Sequence, residues 1–136
     1  MNPTRTLLVS SAFLLGAAGL AATFVPDEIL RWSGAPSWPV LPLLVQILGA
    51  LYMGLAMLNW MVRDTLLGGI YGRPAVMANL LHWVPAAFAC LRLAAHTPGA
   101  RALWAVALVY AVFALAFTMM MFRQPEGARG TVPMPA

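Results

Sequence analysis

The chain alternates between four long apolar runs and short polar segments. The runs cover about residues 6–25, 40–62, 75–95 and 102–122, and each is close to the ~20 residues needed to cross the hydrocarbon core of a bilayer. In hydrocarbon every backbone amide must bond within its own segment, so each run is predicted to be a helix. Short connections make sequential helices antiparallel. The pattern predicts an all-α polytopic membrane protein with an antiparallel, up-down-up-down four-helix transmembrane bundle.

One domain, residues 1–122, is predicted to hold the whole bundle. Residues 123–136 are rich in proline and glycine and have no apolar period, which predicts a flexible cytoplasmic tail. The first run, with Arg5 and the small residues of GAAGLAA, also has features of a signal peptide. Its removal would leave an odd number of spans, so we expect it to remain as a helix.

The composition also indicates a membrane protein. Hydrophobic residues make up 62% of the chain and charged residues 9%, whereas a soluble domain has roughly 25% charged residues. There is no lysine, and the arginines stand near the ends of the apolar runs, which is a membrane pattern and not a nucleic-acid-binding surface. The single cysteine, Cys90, excludes an intrachain disulfide and any CxxC motif. We therefore expect no nucleic-acid partner and no soluble enzyme.

The arginines also predict the orientation of the chain. In the four-span topology, one side of the membrane holds five arginines and the other holds three. The two sets are Arg5, Arg63, Arg73, Arg123 and Arg129 against Arg31, Arg92 and Arg101. Because arginine is enriched in cytoplasmic segments, this count places both termini in the cytoplasm of a bacterial-type inner membrane.

Aromatic and turn-forming residues fit the same topology. Indole rings favour the headgroup level of a bilayer, which suits the tryptophans near the predicted helix ends: Trp32, Trp38, Trp60 and Trp104. The segment DEILRW is predicted to lie on the outer surface as one amphipathic turn. Residues 63–74 are predicted to form a cytoplasmic turn, in which Gly68 and Gly69 permit left-handed backbone.

Small residues predict where helices pack closely. The spacings that permit this are Ala12, Gly16 and Gly19 in the first span, with Ala50 and Gly54 in the second. Pro85 predicts a kink in the third span, because it removes a backbone hydrogen bond.

Methionines repeat along the second span at Met53, Met57 and Met61. Thioethers are ligands for copper(I), but no cysteine or histidine interrupts this stripe, and methionine is a common filler of apolar packing. We expect no metal site.

The polar residues inside the spans are the candidate site. Tyr52, Asn59 and Arg63 share one face of the second span, and Asn79 and His82 share one face of the third. Both stripes are predicted to meet in the cytoplasmic half of the bundle. With Arg73 added from the turn, the candidate ligand-binding residues are Tyr52, Asn59, Arg63, Arg73, Asn79 and His82.

Three interpretations of these residues stay open. The first is internal hydrogen bonding that fixes the register of two helices. The second is a cavity for a lipid or quinone, with His82 as a donor or proton carrier and Arg63 or Arg73 meeting an anionic group. The third is a proton or ion pathway, which the absence of any carboxylate inside a span disfavours.

A haem site is a further alternative. His82 and His96 are fourteen residues apart and lie at nearly the same angle of a helix, which suits two stacked haems. The chain has no other histidine to provide the opposing axial ligands. We do not expect haem.

The run LGALYMGLAMLNWMVRD, followed by GGIYGRP and NLLHW, resembles small bacterial four-helix membrane proteins of the DoxX-like type. The similarity covers the second and third spans and rests on size, span count and the polar turn. Some DoxX-type proteins are membrane subunits of quinone-linked oxidoreductases, so the resemblance implies a link to quinone chemistry. No functional residue is carried over from it.

We therefore expect a small integral membrane protein that binds a lipid or quinone or serves as an accessory subunit of a membrane complex, without catalytic residues of its own. One alternative is a structural or assembly subunit with no ligand, and another is a small oligomeric transporter. The expected partners are membrane lipids and either a second copy of the chain or a larger membrane complex.

Overall fold

The computed structural model describes residues 3–65, 72–97, 99 and 101–122, and all its regular structure is helical in these ranges. The helices are α1 (Pro3–Phe24), α2 (Pro26–Ser33), α3 (Leu41–Val62), α4 (Gly72–His96) and α5 (Arg101–Phe122). All but α2 are long and apolar enough to cross a membrane. The predicted all-α class and the four apolar helices are confirmed, whereas their arrangement as one up-down bundle stays a prediction.

The chain divides into two compact units, Met1–Asp64 and Thr65–Ala136, and each is described by itself. The predicted glycine turn at 68–69 and the predicted flexible tail at 123–136 lie outside the described residues.

In the first unit, α1 and α3 pack against each other as an antiparallel pair. Rising residue numbers in α1 meet falling numbers in α3, as the side-chain contacts Arg5 with Asp64, Ser11 with Asn59, and Gln46 with Thr23 show. The buried apolar face of α1 has the helical spacing of Leu8, Ala12, Leu15 and Ala22. These contacts place Asn59 and Arg63, two of the candidate site residues on this part of the chain, towards the Arg5–Asp64 end of the pair.

Two glycines let α1 and α3 approach closely. A methyl group on Gly49 would lie 2.8 Å from the carbonyl oxygen of Gly19 and 2.6 Å from Oγ1 of Thr23. Gly54 has open space around it, and Ala50 is exposed. Ala50 and Gly54 therefore take no part in the contact of α3 with α1, because α3 turns a different face, carrying Gly49 and Ala56, towards α1.

The segment after α1 forms a short amphipathic helix. Pro26 starts α2, and the acidic side chains of its first turn, Asp27 and Glu28, stand where the helix dipole favours negative charge. Gly34 ends it with φ 69°, in the left-handed region that glycine adopts without strain. Arg31 donates a hydrogen bond to Glu28 over 2.7 Å. The predicted amphipathic turn is thus a helix of eight residues.

In the second unit, α4 and α5 form a helical hairpin around large buried aromatic rings. Trp83 and Phe117 are fully buried, and most of the other buried residues are alanines. Trp83 and Phe113 stand about equally far from the connection and stack on each other, as expected of neighbouring antiparallel helices. The α4 helix continues through Pro85.

Candidate functional site

The polar residues of α3 are held by α1. Asn59 is fully buried, and its side-chain amide donates to Oγ of Ser11 over 2.9 Å. Ser11, also fully buried, donates in turn to the carbonyl oxygen of Leu8. Of the other predicted residues on this helix, Tyr52 is partly buried and Arg63 lies directly after the last helical residue. Asn59 thus has a partner on the first span, whereas the hydrogen-bonding interpretation concerns bonds between the second and third spans and stays a prediction.

The polar residues of α4 belong to an aromatic cluster, which consists of His82, Trp83, Tyr110 and Phe113. The Trp83 ring stacks on Phe113 with centroids 4.5 Å apart and contacts Tyr110 at 5.0 Å. The His82 ring lies 4.9 Å from the Trp83 ring and 5.8 Å from that of Tyr110. The imidazole is therefore packed among rings and is only partly exposed.

Asn79 connects the aromatic cluster to the backbone of α4. Its side-chain amide donates to the carbonyl oxygen of Ala75 over 2.9 Å, and its oxygen accepts a hydrogen bond from Nε1 of Trp83 over 3.1 Å. Arg73 is exposed in the first turn of the same helix. Asn79 and His82 both contact Trp83, while the meeting of these residues with those of α3 stays a prediction.

An ionic group, which consists of Arg5, Arg63 and Asp64, lies at one end of the α1–α3 pair. Nε of Arg5 lies 2.8 Å from Oδ1 of Asp64, and Nε of Arg63 lies 3.2 Å from the other oxygen, Oδ2, of the same carboxylate. Among the described residues, two positive charges share one negative charge at this end, so one positive charge is in excess.

Trp60 contacts both the ionic group and an aromatic side chain of α1. The guanidinium carbon of Arg63 lies 4.1 Å from the centroid of the Trp60 ring, within the range of a cation–π interaction. The same ring meets Phe13 of α1 edge-on, with centroids 5.8 Å apart. The Trp60 ring thus contacts both the Arg63 guanidinium and the Phe13 ring.

An apolar groove runs along α1 and α3 from these rings. Its volume is about 430 Å³, and its walls consist of Ala12, Phe13, Gly16, Leu20, Met53, Ala56, Met57 and Trp60. The groove exists because small residues stand opposite each other at its floor: Cβ of Ala56 is 3.7 Å from the position of a Cβ on Gly16. The residues that line it are apolar side chains and one glycine, which suits contact with an apolar molecule.

We found no match to this chain among family models, curated proteins or solved structures. The assignment of a function therefore rests on the geometry of the two units.

The groove contains residues that the sequence analysis assigned to other roles. Trp60 was predicted only as an interface anchor, and Met53 and Met57 only as packing residues. Their spacing of four and three residues already places all three on one face of α3. What the sequence does not contain is the position of Phe13 and Gly16 opposite them, because that depends on the rotation of α1 about its own axis.

Proposed function

We propose that this protein is a small integral protein of a bacterial-type inner membrane that binds the apolar chain of a lipid or quinone in the groove between α1 and α3. The observation that carries the proposal is the groove itself. Its volume of about 430 Å³ falls within the roughly 300–1,000 Å³ of small-molecule sites, which are also mostly apolar. An accessory subunit of a membrane complex is the physiological setting that such a protein fits.

The membrane placement is supported by the four apolar helices and by their exposed side chains. Large apolar side chains such as Phe13, Leu81, Leu108 and Phe122 are exposed on the surface of the chain. Patches of this kind are costly in water and favourable in lipid. The five-to-three distribution of arginines supports an up-down topology with both termini in the cytoplasm.

Reporter fusions test this topology. We expect a green fluorescent protein fused after Ala136 to fluoresce, because it folds in the cytoplasm, and alkaline phosphatase at the same position to be inactive. Alkaline phosphatase inserted after Gly34, between α2 and α3, is expected to be active, because that segment is placed outside. Active phosphatase at the C-terminus with inactive phosphatase after Gly34 would show the reverse orientation.

The groove is lined by apolar residues and not by the polar residues that the sequence predicts as ligand-binding. Asn59 and Asn79 each form a hydrogen bond within their own unit, which favours a structural role for their amides. This observation also supports the second candidate function, a structural subunit without a ligand. The groove favours the first candidate, because close packing against its walls holds an apolar chain without a polar contact.

Filling the groove tests the proposal. Leucine in place of Gly16 puts an isobutyl group into the groove, whereas leucine in place of Gly54 adds the same group where no atom lies within 4 Å. Native mass spectrometry with lipidomics on protein from its own membrane is expected to show a bound lipid or quinone in the wild type. We expect Gly54→Leu to retain it and Gly16→Leu to bind it roughly tenfold less tightly, a difference of about 1.4 kcal/mol.

A second variant separates groove filling from misfolding. Met57 lines the groove and is 60% exposed, so Met57→Trp blocks the groove without entering the buried contact of α1 and α3. It should reduce ligand binding as Gly16→Leu does, with an unchanged helical circular dichroism spectrum. A wild-type protein that carries no lipid or quinone, or groove variants that carry as much as the wild type, would contradict the proposal.

A further inference from the structure

The charge at the end of the groove constrains which lipophilic molecule fits it. Arg5 and Arg63 share the single carboxylate of Asp64. Each guanidinium has five N–H donors, and the hydrogen bonds and ion pairs to described residues engage only some of them. The side chains of Arg5 and Arg63 are 50% and 27% exposed. The end of the α1–α3 pair therefore has one uncompensated positive charge and donors that another anion can reach.

The positive charge and the groove are connected through one side chain. Trp60 forms part of the groove wall, and the Arg63 guanidinium carbon lies 4.1 Å from the centroid of its ring. Phe13, on the opposite wall of the groove, meets the Trp60 ring edge-on. A molecule whose chain fills the groove thus has its head beside Arg63. The complementary ligand has an apolar chain that ends in a negative group.

We infer that the groove binds an anionic phospholipid, with an acyl chain between α1 and α3 and the phosphate hydrogen-bonded by Arg63 and Arg5. This inference rests on the proposed function and names its ligand class. Arginine binds phosphate through paired N–H donors, and basic sites between transmembrane helices bind anionic headgroups. A quinone head is uncharged and leaves the excess charge uncompensated. A zwitterionic headgroup brings a second positive charge to a site that already has one in excess. Asp64 orients both guanidinium groups through its ion pairs with them.

The test compares two lipids that differ only in the headgroup. The purified full-length chain is titrated with dioleoylphosphatidylglycerol and dioleoylphosphatidylcholine, and bound lipid is counted by native mass spectrometry. We expect tighter binding of the phosphatidylglycerol by roughly fivefold for each arginine that contacts the phosphate. Arg63→Gln should lose roughly fivefold in affinity for phosphatidylglycerol and clearly less for phosphatidylcholine, whose phosphate also accepts from arginine but whose choline cation is repelled by the excess positive charge. Arg5→Gln should act in the same direction.

Matched controls separate this effect from general charge and from folding. Arg31→Gln removes the same charge from α2, where Arg31 pairs with Glu28, and should leave the lipid preference unchanged. A smaller loss of phosphatidylcholine than of phosphatidylglycerol binding, together with an unchanged helical circular dichroism spectrum, shows that Arg63→Gln is folded and that its groove is intact. Inorganic phosphate, which has the charge but no chain, is expected not to displace bound phosphatidylglycerol. Displacement by phosphate alone would show an anion site independent of the groove and would overturn the inference.

The remaining outcomes separate the inference from the proposed function. If both lipids bind the wild type equally and Arg63→Gln changes neither affinity, the headgroup inference is wrong and the groove proposal stands. If neither lipid binds, the headgroup inference is wrong, and the groove proposal stands only if the protein from its own membrane carries a quinone. If Gly16→Leu binds both lipids as well as the wild type does, the groove proposal is wrong and the inference falls with it.

Discussion

Replacing Gly49 by alanine is expected to lower the free energy of unfolding by about 2 kcal/mol, the middle of the range for overpacking a close contact. The added methyl group would lie 2.6 Å from Oγ1 of Thr23, 2.8 Å from the carbonyl oxygen of Gly19 and 2.9 Å from the backbone nitrogen of Thr23. Because two of these atoms are backbone, no rotation of a side chain relieves the contact. The helices must separate, and the contacts along the whole α1–α3 interface are weakened.

The environment of Thr23 strengthens this expectation. Its hydroxyl donates to the carbonyl oxygen of Gly19 over 2.8 Å, so the side chain that would have to move is fixed by the same carbonyl that the new methyl group approaches. Gln46 of α3 also donates to the backbone of Thr23. In lipid, close packing and such hydrogen bonds are the main forces that associate helices. Loss of the close approach therefore has no compensating hydrophobic gain.

Gly54→Ala is the matched control, since it adds the same methyl group to the same helix. No atom lies within 4 Å of that methyl position, and alanine is favoured over glycine in a helix by about 1 kcal/mol. This variant should be as stable as the wild type or more stable. Both are measured by denaturant unfolding in mild detergent, followed by circular dichroism. Equal midpoints for Gly49→Ala and Gly54→Ala would show that the close approach contributes nothing to stability.

The bounds of the long helices follow from the sequence, whereas their contact faces do not. The predicted spans at 6–25, 40–62, 75–95 and 102–122 agree with the helices within about one turn at each end, because bilayer thickness and the polar segments set their length. The sequence does not indicate whether Gly49 or Gly54 faces α1. A helix that is apolar all round has no polar face to define its orientation, so only the partner helix determines which small residue is buried.

The candidate site shows the same division. The sequence indicates that Asn59, Asn79 and His82 are inside apolar helices and need partners. It does not indicate that Ser11 is the partner of Asn59, because a serine in an apolar helix commonly bonds its own backbone, as Ser11 also does. The hydrogen bond from the Trp83 indole to Asn79, by contrast, can be predicted from the sequence. The two residues are four apart on one helix, so the spacing alone predicts the contact.

Replacing Trp83 by alanine is expected to lower the free energy of unfolding by about 3 kcal/mol, the lower end of the range for removing a buried tryptophan. Trp83 is 1% exposed, and its ring contacts His82, Tyr110 and Phe113, so its removal leaves a cavity in the centre of the α4–α5 hairpin. The lower end of the range applies because an unfolded chain in a micelle still has apolar surroundings, which reduces the transfer contribution.

Trp83→Phe separates the packing of the ring from its hydrogen bond. Phenylalanine keeps an aromatic ring against Phe113 and loses only the donor to Asn79, so we expect a loss of about 1 kcal/mol, close to the values for hydrogen bonds between transmembrane residues. Trp104→Ala is the control for removal of an indole, because Trp104 lies on α5 and is 51% exposed. The order of unfolding midpoints should be Trp104→Ala, then Trp83→Phe, then Trp83→Ala as the least stable. If Trp83→Ala unfolds no earlier than Trp104→Ala, the stacked rings are not the core of the hairpin, and the packing around His82 must be assigned to other contacts.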